Sequence, residues 1–161
     1  MPGKPRKRGA RRLLRFPRAR GRLWVRGSIP MNAPSLELPG LRVSVDRVVH
    51  HTDSGLPAER PHAFIYFITV TNASDRTVRL LGRKWIVREG ADTEVIEGDG
   101  IVGETPTLAP GETFSYNSYH LAAGRCSAHG AFHGVDGDGN PVFTRIPAFE
   151  MIPPGSGAGT P

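Results

Sequence analysis

The 161-residue sequence is 38% apolar and carries a formal net charge of +6, which suits one domain with one hydrophobic core and leaves no material for a second. The charge is unevenly spread: 11 of the 21 Lys and Arg lie between Lys4 and Arg26, the first acidic residue is Glu37, and the remaining 10 basic and 15 acidic residues give a net of −5 after Arg26. A mildly acidic domain has no electrostatic reason to sit on a nucleic acid, so such binding is left to the basic segment alone. The single cysteine, Cys126, excludes an intramolecular disulfide and a thiolate zinc cluster, in keeping with a reducing, cytoplasmic setting. No apolar run approaches the roughly 20 residues that span a bilayer.

The segment MPGKPRKRGARRLLRFPRARGRLWVRGSIP admits three readings. Its many Arg with Phe16 and Trp24 interleaved suit an arm that binds phosphates and stacks on bases. Its lack of acids suits an organellar presequence, although Ser28 is its only hydroxyl residue and Pro17 interrupts the one amphipathic stretch. The favoured reading is a translation start at Met31, because MNAPSLELPGLRV begins as an ordinary domain does. Without sustained periodicity or enough apolar residues to bury, residues 1–38 are expected to be disordered, the domain to occupy 39–154, and 155–161 to form a flexible tail.

From Leu41 onward the sequence reads as short β-rich runs divided by turn chemistry. LRVSVDRVV alternates as a strand with one buried face should, and HTDSGLPAERP breaks it. HAFIYFITVTN is almost continuously aromatic and β-branched, which predicts a central strand buried on both faces or under a second sheet. NASDRT turns the chain into VRLLGRKWIVRE, with Trp85 as a core anchor, and GADT leads into TEVIEG. A Pro-Gly turn in TLAPGET precedes FSYNSYHL; then CSAHGAFHGV, the turn DGDGN and PVFTRIPAFEMI complete about seven strands. The fold expected is an all-β, two-sheet antiparallel sandwich.

The run LLGRKWIV, then EGDGIVGETPTLAPGETFSYNSYHL, then DGDGNPVFTRIPAF resembles the ApaG domain family. The likeness rests on Arg83 and Trp85, the glycines Gly98, Gly100 and Gly103, the turn residues Pro106, Leu108, Pro110 and Gly111, and the closing Ile146 to Phe149; it spans roughly Leu41 to Pro153. Thr105 and Ala128 depart from the common pattern, as does SYHLAAGRCSAHGAF, which points to a divergent branch. The resemblance implies a fibronectin type III-like or immunoglobulin-like sandwich, a bacterial protein with a link to cobalt and magnesium tolerance, and a genetic neighbourhood of diadenosine tetraphosphate metabolism. It also implies contact with another protein, while the expectation of no enzyme and no cofactor comes from the residues themselves, which supply no catalytic constellation.

GDGIVG matches the GxGxxG phosphate-loop pattern, but Pro106 and Pro110 forbid the helix that such a loop opens, and Glu97, Asp99 and Glu104 crowd it with negative charge. The glycines therefore read first as backbone shape. A turn can still form an anion nest without a helix, which keeps Gly98, Asp99, Gly100, Gly103 and Glu104, with Arg83 as countercharge, as candidates for a nucleoside polyphosphate. The acids Glu97, Asp99 and Glu104 are alternatively oxygen donors for a magnesium-like or cobalt ion. DGDGN begins like a calcium loop, but the position that needs a Glu is Pro147, so a hairpin turn is the better reading.

Six histidines invite a transition-metal site. His50, His51 and His62 flank one loop, but His50 and His51 point to opposite faces of a strand; His129 and His133 are about 13 Å apart at roughly 3.3 Å per residue, too far to share an ion. Rim or surface roles are expected for them. Ser118 with His120 suggests a nucleophile and base without the rest of the machinery, and Cys126 beside Arg125 reads as a small strand residue before it reads as a thiolate. The expectation is a non-enzymatic module for an unidentified protein partner, with a small-ligand or cation sensor as the alternative.

Overall fold

Apolar residues at Leu41, Val43 and Val45 alternate with polar ones and turn inward, and the same period-2 logic builds every long element of the chain. The structure, a computed structural model, describes residues 34–156. The basic segment, the Met31 start and the residues after 156 lie outside that range. The strands are β1 (Leu36–Glu37), β2 (Leu41–His51), β3 (His62–Asn72), β4 (Val78–Glu89), β5 (Asp92–Asp99), β6 (Thr107–Leu108), β7 (Thr113–Ala122), β8 (Cys126–Asp136) and β9 (Pro141–Met151). The seven long strands are those read from the sequence; the two-residue β1 and β6 were not foreseen.

Two sheets form the sandwich. The larger runs β1-β9-β8-β4-β5, with β6 also pairing β4, and the smaller runs β2-β3-β7. All pairings are antiparallel except β1 with β9, where Leu36 lies opposite Val142 and Glu37 opposite Phe143. That pairing corrects the expected boundary at residue 38. Leu36 and Glu37 are already in the larger sheet, Leu38 is buried in the core, and Arg145 Nε donates to Glu37. At the other end Ser156 closes a turn on Pro153, so the first two residues of the expected tail are also placed.

The core lies between the sheets. Phe64, Tyr66, Ile68 and Val70 of β3 face Leu80 and Trp85 of β4, Phe132 of β8, and Val142 and Ile146 of β9. Trp85 is the anchor the sequence indicated: it meets Tyr66 at 5.4 Å and Phe149 edge-on at 6.0 Å between ring centroids. A hydrogen bond from Thr144 Oγ1 to the Leu41 carbonyl ties β9 to β2 where the two sheets approach. β3 is central in its sheet as expected, but its outer face is only half-buried. The Arg47 guanidinium, 4.3 Å above Phe67, covers part of it without a further layer.

Three register shifts break the alternation, at Val45/Arg47, Leu80/Gly82 and Ala128/Gly130. Each adds one residue and reverses which side chains face inward after it. The shift in β4 decides the geometry of the glycine loop.

Candidate functional site

After the irregularity at Leu81, Gly82 turns to the outer face and Arg83 to the inner one, followed by Lys84 out and Trp85 in. Arg83 lies opposite Gly98 in the β4–β5 register. Its guanidinium rests against that glycine, where an added Cβ would come within 3.0 Å of Nη1, and Nη1 donates to the carbonyls of Asp99 and Gly100, both at 2.9 Å. Gly98 thus leaves the room in which the half-buried arginine sits, and a side chain there would press on the guanidinium. The charge also faces the inner hydroxyls of Tyr66 and Tyr116 and lowers the pKa of each, but burial dominates and pushes Tyr66 up to about 12 and Tyr116 further still.

Beyond Gly100 the chain makes a minimal hairpin. Ile101 and Glu104 exchange both backbone hydrogen bonds, at 2.7 and 3.0 Å, and the two residues between them, Val102 and Gly103, have φ of 53° and 80°. Positive φ at both central positions defines a type I′ turn. Glycine is at ease there, whereas a β-branched valine is a backbone outlier; Val102 is nonetheless packed against the core. The Gly100 amide donates to the Leu81 carbonyl at 2.6 Å, which fixes the hairpin to the β4 bulge.

This geometry bears directly on the phosphate reading. The amides of Gly100, Ile101 and Glu104 are already used within the fold, and Arg83 Nη1 is engaged by the Asp99 and Gly100 carbonyls. The metal reading needs correction as well. Among the described residues no three His, Cys, Asp or Glu side chains gather to hold an ion. Glu97 is opposite Lys84 and paired with its Nζ at 3.0 Å, Asp99 shares a row with Gly82 and His133, and Glu104 is exposed at the hairpin end, so the three acids do not converge. Substituting Arg83 by Met should cost about 2 kcal/mol, since two charge-assisted bonds at a half-buried site are lost. Urea unfolding would measure that cost, and hydrogen exchange should quicken chiefly at residues 98–104.

The proline turn that follows is held by a residue the sequence reading passed over. Asn72, fully buried at the end of β3, donates from Nδ2 to the carbonyls of Leu108 and Arg76 at 2.9 and 2.7 Å and accepts from the Ser74 amide and hydroxyl. Its backbone carbonyl receives the Gly111 amide and its own amide donates to Glu112. Gly111 has φ of 90°, as the Pro-Gly signal suggested. The only sequence cue to Asn72 was a polar residue closing an otherwise apolar strand.

The remaining candidates separate cleanly. Asp136 organises the β8–β9 hairpin: its carboxylate accepts from the Asp138 and Asn140 amides, Asn140 Nδ2 and Arg76 Nη1, which together hold it below the usual carboxylate range. The hairpin reading of DGDGN is correct. Ser118 and His120 are neighbours on the buried inner face of β7, and burial lowers the His120 pKa. Cys126 is buried with its thiol pushed up to about 12 by desolvation first and then by Glu89 and Glu150, while Arg125 bonds Glu150 instead. His133 lies over Gly82, where a Cβ would meet its ring at 2.5 Å. His51 bonds Asp53 at 2.7 Å, on the strand face opposite His50. His50 and His62, by contrast, meet: Nε2 of the first is 2.9 Å from Nδ1 of the second.

The ApaG domain model matches residues 52–136, more than half of the chain. The chain belongs to the ApaG domain family. The match runs from the loop after β2 through β8, and thus contains the Arg83 seat, the glycine hairpin and the proline turn. Protein ApaG of Enterobacter sp. (strain 638) is 33% identical over 123 residues, covering 74% of this chain and 96% of the relative. Protein ApaG of Acidovorax sp. (strain JS42) is 39% identical over 107 residues, 64% of this chain and 78% of the relative. Among solved structures, that of the putative ApaA protein from Bordetella pertussis superimposes with a TM-score of 0.65 at 29% identity, covering 75% of this chain and 98% of that one. The ApaG sandwich thus extends past the matched segment to β2 and β9. Among the described residues no helix is long and apolar enough to cross a membrane.

Proposed function

We propose that this ApaG domain is a non-enzymatic binding module whose glycine hairpin and adjoining edge strand receive an extended, basic segment of another protein. The observation that carries the reading is β5. Among the described residues it is the free edge of the larger sheet, eight residues long, paired with β4 in unbroken register and without proline, and Val95 at its middle is 47% exposed. A long regular edge is a template for strand addition unless something blunts it. Among the described residues the blunting here is charge: Asp92, Glu94, Glu97 and Asp99 repel a second copy of the same strand but attract a basic one.

The test is affinity capture on the full chain and on a variant with Asp92→Lys and Glu94→Lys, two exposed positions, followed by hydrogen exchange on the recovered complex. Protection at residues 92–99 and loss of the partner from the variant are expected. Equal recovery by both proteins, or protection elsewhere, overturns the edge reading. A link to cobalt and magnesium tolerance, carried by the family resemblance, belongs to the same proposal, and normal growth of a deletion strain in raised cobalt and magnesium would remove it.

The alternative is a sensor that binds a nucleoside polyphosphate at the glycine loop. The positive charge of Arg83 beneath the hairpin speaks for it; the bonded amides of Gly100, Ile101 and Glu104 speak against it. Titration with diadenosine tetraphosphate, followed by amide NMR, separates the two. Unmoved resonances at residues 98–104 with millimolar ligand end the sensor reading.

A further inference from the structure

His50, near the end of β2, and His62, at the start of β3, are twelve residues apart in sequence, and the loop between them returns the chain so that both rings stand at one end of the smaller sheet's inner face. The bulge between Val45 and Arg47 makes this possible, because it reverses the parity of β2 and brings His50 to the side occupied by Phe64. The rings lie 5.1 Å apart between centroids, tilted by 43°, with Phe64 5.3 Å from the first and 6.4 Å from the second. Both are half-buried, with an apolar floor behind them and solvent in front.

What distinguishes the pair is which atoms face each other. His50 Nε2 and His62 Nδ1 approach to 2.9 Å, so a single proton lies between two nitrogens that would each otherwise offer a lone pair to the same point. Two imidazole nitrogens bound to one tetrahedral ion at about 2.0–2.1 Å stand about 3.3 Å apart. Replacing the shared proton by such an ion asks the rings to separate by about 0.4 Å and each to turn by roughly 35°, because a tetrahedral ion sits off the line joining the two nitrogens; side-chain rotation at a half-exposed site can supply both.

We propose that His50 and His62 form a two-imidazole site for a divalent transition-metal ion such as Zn2+, with solvent completing its coordination. The donor set selects the class of ion: neutral imidazole suits zinc, nickel and copper, whereas magnesium demands oxygen ligands. With only two protein ligands the ion keeps open positions, where a water or a donor from a second molecule can bind. The proposal is independent of the edge-strand reading, since β2 and β3 belong to the other sheet.

The experiment is calorimetric titration of the full chain with Zn2+ and with Mg2+, together with Cu2+ broadening of amide NMR signals to locate the ion. One equivalent of Zn2+, no response to Mg2+, and broadening centred on residues 50, 62 and 64 are expected. His50→Gln and His62→Gln should each remove the isotherm while preserving the far-UV spectrum, since glutamine fills the site but is a poor ligand; His133→Gln should retain it. Absence of zinc binding by the full chain, an unchanged isotherm in His62→Gln, or broadening centred on His51 or His133 overturns the proposal.

Discussion

Gly130→Ala should be among the most damaging single-methyl changes in the domain, with a loss above about 4 kcal/mol and little folded protein at 37 °C. Gly130 sits in β8, the strand between β9 and β4 in the larger sheet, directly opposite Trp85. A Cβ there would be driven into the Lys84 carbonyl oxygen, to within 3.0 Å of its carbon and 3.2 Å of the Trp85 Cα. These are backbone atoms, so no rotamer change relieves the contact; β4 and β8 must move apart. Their separation would pull Trp85 from Tyr66 and Phe149 and break the aromatic cluster that joins the two sheets. Gly137→Ala is the control, since a Cβ at that position meets nothing within 4 Å and its φ is not in the left-handed region. It should change stability by less than about 0.5 kcal/mol. Urea unfolding followed by tryptophan fluorescence reads both, and near-equal midpoints would refute the close-approach argument.

The second large effect is expected at Asn72. Truncation to alanine removes one donor from the buried Leu108 carbonyl, one from the part-buried Arg76 carbonyl and one acceptor from the Ser74 amide and hydroxyl, and leaves the Leu108 carbonyl with a cavity in place of a partner. Leaving buried polar groups unpaired is dearer than the net worth of the bonds themselves, so a cost of about 3 kcal/mol is expected, with a fall in Tm of roughly 10 °C. Asn72→Asp should be no milder, because it keeps the acceptor but turns the donor into a buried negative charge facing two carbonyl oxygens. Exchange protection should fall first around Leu108 and Gly111, whose backbone the side chain and main chain of Asn72 hold. If thermal unfolding of Asn72→Ala matches that of the parent, the turn is held by something other than Asn72.

Both effects explain why parts of the molecule were readable without coordinates. Alternation along LRVSVDRVV, the apolar density of HAFIYFITVTN and the turn chemistry of DGDGN are local signals, and the structure places strands and a hairpin at all three. Trp85 in the core was equally plain. The glycines of GDGIVG were readable as backbone shape because prolines follow them, but the particular reasons differ at each: Gly98 seats Arg83, Gly103 occupies a positive-φ turn position, and Gly100 has φ of 67° with the Glu104 carbonyl beside it. None of these reasons is visible from the spacing GxGxxG.

The site was less legible because it depends on parity and register. An unbroken alternation from Leu80 would have sent Arg83 outward as a surface countercharge; the bulge at Leu81 turns it under the hairpin instead. The same effect in β2 brings His50 to His62, two residues that looked like unrelated rim histidines. Glu97, Asp99 and Glu104 looked like a ligand set because they are close in sequence, yet Glu97 is paired with Lys84 across the sheet.

By itself the sequence determined the seven long strands, most of their turns and the tryptophan anchor, since these follow from period-2 patterning and from glycine and proline geometry within a few residues, while the ApaG kinship rested on a resemblance carried by Arg83, Trp85 and the glycine and proline motifs. Only the tertiary structure decided which side chains face one another. A bulge reverses every following side chain of its strand, and it exists only in the pairing with a partner strand, which lies outside the local pattern.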